Sequence, residues 1–167
     1  MPAGPRARAL KAVRFAIVRA TFNEEVTAKL LAGAVRGFAD AQVAARRVET
    51  HEVPGAFELP IAALWLAKTG RYDAIVCLGC VIRGETPHFD FVAGQAARAI
   101  ADVALQTGVP VIFGVLTTDT VEQAHARAST HGGRREHTKR SQVGNKGYEA
   151  ANTALVMARL RRTIKQR

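Results

Sequence analysis

The sequence predicts a parallel sheet covered on both faces by helices, and three features predict it. Apolar, β-branched runs alternate with stretches whose apolar positions recur at helical spacing. Strands separated by helices need crossover connections, so they run parallel and are buried on both sides. Each strand-like run is also followed by a polar stretch, mostly containing Gly or Pro. That lines up loops along the carboxyl edge of the sheet, where such folds bind ligands.

Val13–Ala20 (VRFAIVRA) reads as the first strand, and Glu24–Ala39 as a helix with Val26, Leu30, Ala34 and Phe38 on one stripe. A second strand falls within Gln42–Val53, whose polar alternation suits a sheet edge. Phe57–Lys68 reads as a helix ended by Gly70, and Asp73–Ile82 as a buried strand. A long helix from Pro87 to Thr107 carries Phe89, Val92, Ala96, Ile100 and Val103 at helical spacing, stopped by Gly108 and Pro110. Val111–Leu116 (VIFGVL) reads as another buried strand. Asp119 is placed to cap a helix through Ala128, and Asn145–Arg162 forms the last helix.

With 167 residues, 48% of them apolar, the chain can bury roughly 70% of its unfolded surface in one domain. Residues 1–11 are expected to be a flexible extension of a domain spanning 12–167. No apolar run approaches the ~18 residues of a membrane span. The basic start MPAGPRARALK leads into no signal-peptide core, so a cytoplasmic protein is expected. The net charge of +10 is local. Residues 1–122 hold thirteen Lys/Arg against twelve Asp/Glu; residues 123–167 hold eleven against Glu136 and Glu149 alone. Such a tail attracts phosphates of any kind, but no RNA-binding aromatic motif interleaves with it. A solvated or assembly-facing surface is favoured over a nucleic-acid site. Cys77 and Cys80 form a CxxC inside AIVCLGCVI. Three residues along a strand span roughly 10 Å and point the side chains to opposite faces, which disfavours both a disulfide and a zinc site.

The sharpest local signal is Gly84-Glu85-Thr86-Pro87-His88. Thr86 suits a helix cap and Pro87 the first helical position, so free N–H groups and a positive dipole end face the carboxyl edge, an arrangement suited to a phosphate. His88 follows at once; it is either a surface residue or a proton carrier beside that phosphate. VPGAFELP (53–60) supplies a second wall, in which Glu58 either caps a helix or accepts bonds from sugar hydroxyls. Phe22 either packs in the core or stacks on a planar heterocycle. Phe113, inside a strand, reads as core. Arg127 either complements a helix dipole or pairs with a phosphate.

The order and spacing of these pieces carry more than each alone. Phe22-Asn23, VPGAFELP, GCVIRGETPHFDFV (79–92), PVIFGVLTTDTVEQAHARA (110–128) and GNKGYEAA (144–151) strongly resemble the lumazine synthases of riboflavin biosynthesis, from about Val13 to Leu160. The resemblance implies a three-layer α/β/α sandwich, flavodoxin-like, with a four-stranded parallel sheet, assembled as homopentamers with active sites between subunits. It implies condensation of 5-amino-6-(D-ribitylamino)uracil with 3,4-dihydroxy-2-butanone 4-phosphate, without cofactor or metal. Phe22 would stack on the pyrimidine, with Asn23 nearby. Ala56, Phe57 and Glu58, helped by Cys80, Val81 and Ile82, would hold the ring and ribityl chain. Glu85 and Thr86 would bind the phosphate, with Arg127 closing from above and Lys146 near it. His88 would be the general acid/base, and Phe113 would come from a neighbouring subunit. Two features depart from the family. Cys80 stands where Thr is frequent, and the long loop STHGGRREHTKRSQV (129–143) favours a free pentamer or pentamer pair over a closed shell. A catalytically weak flavin- or lumazine-binding paralogue is the alternative reading.

Overall fold

The computed structural model describes residues 13–129 and 144–165. The expected 1–11 extension and residues 130–143 of the long loop lie outside the described residues. β1 (Phe15–Ala20) and β3 (Ala74–Ile82) are the middle strands of a parallel sheet of order β2-β1-β3-β4. β2 (Val48–Val53) and β4 (Val111–Thr118) form its edges. Helices α1 (Glu24–Asp40), α4 (Val121–Ala128) and α5 (Lys146–Lys165) pack on one face; α2 (Leu59–Lys68) and α3 (His88–Thr107) pack on the other. The three-layer α/β/α architecture is therefore as expected.

Strand alternation sorts the core between the two faces. Phe15 and Ile17 join Leu30 and Phe38 of α1, whereas Ala16 and Val18 join Leu59 of α2 and Ile100 of α3. Cys77 and Cys80 obey the same rule. Both are free and buried, Cys77 against the α2–α3 layer and Cys80 against the α1–α5 layer. The Val26, Leu30, Ala34 and Phe38 stripe is wholly buried.

α5 lies unusually close to α1. A Cβ built on Gly147 would sit 1.9 Å from the Leu30 carbonyl oxygen, and one on Gly33 would sit 1.9 Å from Asn145 Oδ1. Asn145 is the residue that locks this contact. Only 2% exposed, it donates from Nδ2 to the carbonyls of Lys29 and Ala128, both at 2.9 Å, and its Oδ1 accepts from the Tyr148 N–H at 3.1 Å. It thus caps α5 rather than beginning it.

Three local expectations need correction. VIFGVL is not buried throughout: as an edge strand, β4 has half-buried Val111 and Ile112 and an exposed Phe113. Helix α2 begins two residues later than expected, after a 3₁₀ turn at Ala56–Glu58. Thr120, not Asp119, caps α4, accepting from the Gln123 N–H at 3.2 Å. Asp119 is engaged elsewhere: its carboxylate takes a 2.9 Å hydrogen bond from Arg83 Nε.

Candidate active site

The carboxyl edge of the sheet opens into a cavity of about 850 Å³. The β1–β2 ladder continues past both strands, with Thr21 N–H donating to Val53 O at 2.8 Å and Phe22 N–H to Pro54 O at 3.0 Å. That leaves the Phe22 ring 70% exposed at the cavity wall. Asn23 holds this turn to β3: its backbone is left-handed, at φ 56°, and its Nδ2 donates to Cys80 O at 2.9 Å. Asn23 makes no side-chain cap for α1.

The second wall comes from the stretch after β2. Gly55, Ala56, Phe57 and Glu58 all line the cavity, Ala56 buried and the Phe57 ring 58% exposed. Glu58 precedes α2 but makes no capping bond, so the capping alternative is not realised. A Cβ on Gly55 would lie 3.1 Å from its Oε2, so glycine leaves the carboxylate room. Cys80, Val81 and Ile82 at the end of β3 form the floor. Burial pushes the Cys80 thiol up to about 11 and the Cys77 thiol up to about 12, so neither is a thiolate near neutrality.

The third wall is the start of α3. Here the Thr86 cap does not form: Pro87 occupies the cap position with no side-chain bond, and the helix begins at His88. Thr86 and His88 are exposed and both line the cavity; Glu85 lies on the turn between Gly84 and Thr86. Sequence reasoning missed Phe91 and Gln95 and assigned Phe89 and Val92 to the core stripe; all four line the same cavity. The signal was present. Phe91, Val92 and Gln95 stand three, four and seven positions after His88, on one helix face with it.

Phe113 and Arg127 lie elsewhere. They share a second cavity, of about 570 Å³, with Lys146, Glu149 and Thr153, between β4 and α5. Phe113 is 42% exposed there, which removes the core reading. Arg127 Nη1 donates to Gln123 O at 3.2 Å, and Lys146 Nζ pairs with Glu149 at 2.8 Å. Within one chain, therefore, Arg127 does not close over the Glu85-Thr86 turn but keeps company with Phe113.

The family model for 6,7-dimethyl-8-ribityllumazine synthase matches residues 12–162. A relative from Desulfatibacillum aliphaticivorans, named 6,7-dimethyl-8-ribityllumazine synthase, is 45% identical over 152 residues, covering 91% of each chain. The chain belongs to the lumazine synthase family.

The first cavity gathers exposed aromatic rings, the Glu58 carboxylate and the His88 imidazole. The second holds two cations and one exposed aromatic ring. Among the described residues no group of three or more His, Cys, Asp or Glu could hold a metal. No described helix is long and apolar enough to cross a membrane.

Proposed function

We propose that the chain joins 5-amino-6-(D-ribitylamino)uracil to 3,4-dihydroxy-2-butanone 4-phosphate in the first cavity, releasing 6,7-dimethyl-8-ribityllumazine, phosphate and water. The observation that carries this reading is His88 at an uncapped helix start, in one cavity with the Phe22 and Phe57 rings. Phe22 stacks on the pyrimidine. Ala56, Phe57 and Glu58 hold the ring and ribityl hydroxyls above Cys80, Val81 and Ile82. The phosphate sits on the free N–H groups around Glu85 and Thr86, at the positive end of α3.

The uracil amine attacks the ketone to give an imine and a first water, phosphate is eliminated, and the ring closes with loss of a second water. Both substrates are intrinsically reactive, so holding them together supplies much of the acceleration. His88 then moves protons between nitrogen, carbon and the leaving oxygen.

Phe113, Arg127 and Lys146 reach this site from a neighbouring subunit of a homopentamer, a free pentamer or a pair. Exposed apolar side chains support an assembly: Ile61 and Trp65 on α2, and Val156, Leu160 and Ile164 on α5. We place the enzyme in the cytoplasm. The test is an assay with both substrates, reading lumazine fluorescence. Fluorescence that requires both is expected. Tight riboflavin binding with no lumazine formed would overturn the reading in favour of a carrier.

A further inference from the structure

The backbone between β3 and α3 has little support of its own. Gly84, Glu85, Thr86 and Pro87 are all exposed, and a Cβ on Gly84 would meet nothing within 4 Å. No side chain caps the helix that follows. What ties the segment down is Arg83. Its N–H donates to Thr118 O at 2.8 Å, carrying the β3–β4 ladder one residue past the strand. Its guanidinium then makes three contacts. Nε donates to Asp119 Oδ1 at 2.9 Å, Nη1 reaches the Asp90 carboxylate at 3.3 and 3.4 Å, and the group lies 4.2 Å over the Phe89 ring. Asp90 and Phe89 belong to the first turn of α3, immediately after His88. The planar fork suits this task; an ammonium is a point donor and cannot make all three contacts at once.

Stability is not what such a group mainly provides. Ion pairs this exposed add little to stability. Geometry and field are what it supplies. Asp90 and Asp119 put two carboxylates beside a helix start that is to receive a phosphate, and the guanidinium faces both. Without it they would repel the incoming dianion.

We propose that Arg83 is a positioning residue for the phosphate-bearing substrate. It clamps the first turn of α3 to the end of β4, so that the Gly84–Thr86 turn and His88 keep their places on the cavity wall. It also offsets the charge of Asp90 and Asp119 there. This inference rests on the lumazine synthase reading above.

The test compares wild type, Arg83→Gln and Arg83→Lys by steady-state kinetics with both substrates. Inorganic phosphate serves as competitor, and thermal melting is run alongside. Arg83→Gln is expected to raise both the KM for the butanone phosphate and the Ki for inorganic phosphate by about 10-fold or more. The KM for the uracil stays within about twofold, because that substrate carries no phosphate. Arg83→Lys keeps the charge and loses the fork, so its rise is smaller, about two- to fivefold. Should Arg83→Gln fail to fold, the lysine variant alone decides by the same split between substrates. Unchanged KM and Ki in a variant of an active wild type would overturn the proposal and leave the enzyme reading standing. So would an equal rise for both substrates with a lowered Tm, the mark of a merely structural role. A wild type that forms no lumazine overturns both.

Discussion

Around the first cavity three helices begin without a side-chain cap: Asn23 precedes α1, Glu58 precedes α2 and Pro87 precedes α3. The two helices that contribute to the second cavity begin differently, α4 under Thr120 and α5 under Asn145. A cap satisfies helix N–H groups and stabilises by about 1 kcal/mol. Leaving it off forgoes that stability and keeps the donors available for a ligand. The contrast separates a region shaped for binding from one shaped for holding the fold, and local rules are expected to fail in the first kind.

The largest effects come from dividing the two cavities between chains. His88→Ala is expected to lower kcat by about 10–100-fold, and Arg127→Ala to raise the KM for the butanone phosphate by a similar factor. Co-expressing the two variants tests whether the second cavity completes the first across a subunit boundary. Random mixing then leaves about a quarter of the sites with both residues intact, and activity returns to about that fraction. Activity no higher than the better single variant would confine the chemistry to one chain.

Next in size is the α1–α5 contact beneath the second cavity. Gly147→Ala drives a Cβ into the Leu30 carbonyl, and a loss on the order of 3 kcal/mol is expected in chemical denaturation. A loss below about 1 kcal/mol would show that α5 shifts freely. The capping contrast itself is tested by a pair. Thr120→Ala is expected to cost about 1 kcal/mol and Thr86→Ala nothing measurable, because only Thr120 makes its cap. Equal losses would erase the distinction.

The smallest expected effect is a silence. With burial raising Cys80 to about 11 and Cys77 to about 12, from 9.0, both stay protonated in the folded chain. Neither is expected to react with a disulfide reagent at pH 8 without denaturant. A folded-state value above the unfolded one means that the thiols' contribution to stability is fully present below pH 9.0. It is lost as pH rises through about 11 and then about 12. Rapid labelling of one thiol at pH 8 would place it in a more open setting.

Much of the first cavity was legible because its residues sit where strands end, and strand ends follow from local pattern. Phe22, Ala56, Phe57, Glu58 and His88 stand at such positions, and the structure gathers them around one cavity; Cys80 enters the site reading only through the family resemblance. The opposed faces of Cys77 and Cys80 and the buried stripe of α1 follow from periods of two and 3.6, which any short window contains. The caps were less legible. Thr86 and Asp119 both suit a helix start, but Arg83 draws Asp119 away across 36 residues of chain. Phe113 illustrates the rest. Its neighbours in VIFGVL read as core, and only the strand order makes β4 an edge and leaves that ring outward. Asn145, similarly, is polar in sequence and among the most buried polar groups in the fold, because Lys29 and Ala128 offer it carbonyls. The sequence by itself determined which segments are strands and helices, and that the chemistry lies at their carboxyl ends, because periodicity and turn chemistry are local. The tertiary structure decided strand order, which groups compete for one partner, and how the site residues divide between two cavities, because those depend on contacts between residues far apart in the chain.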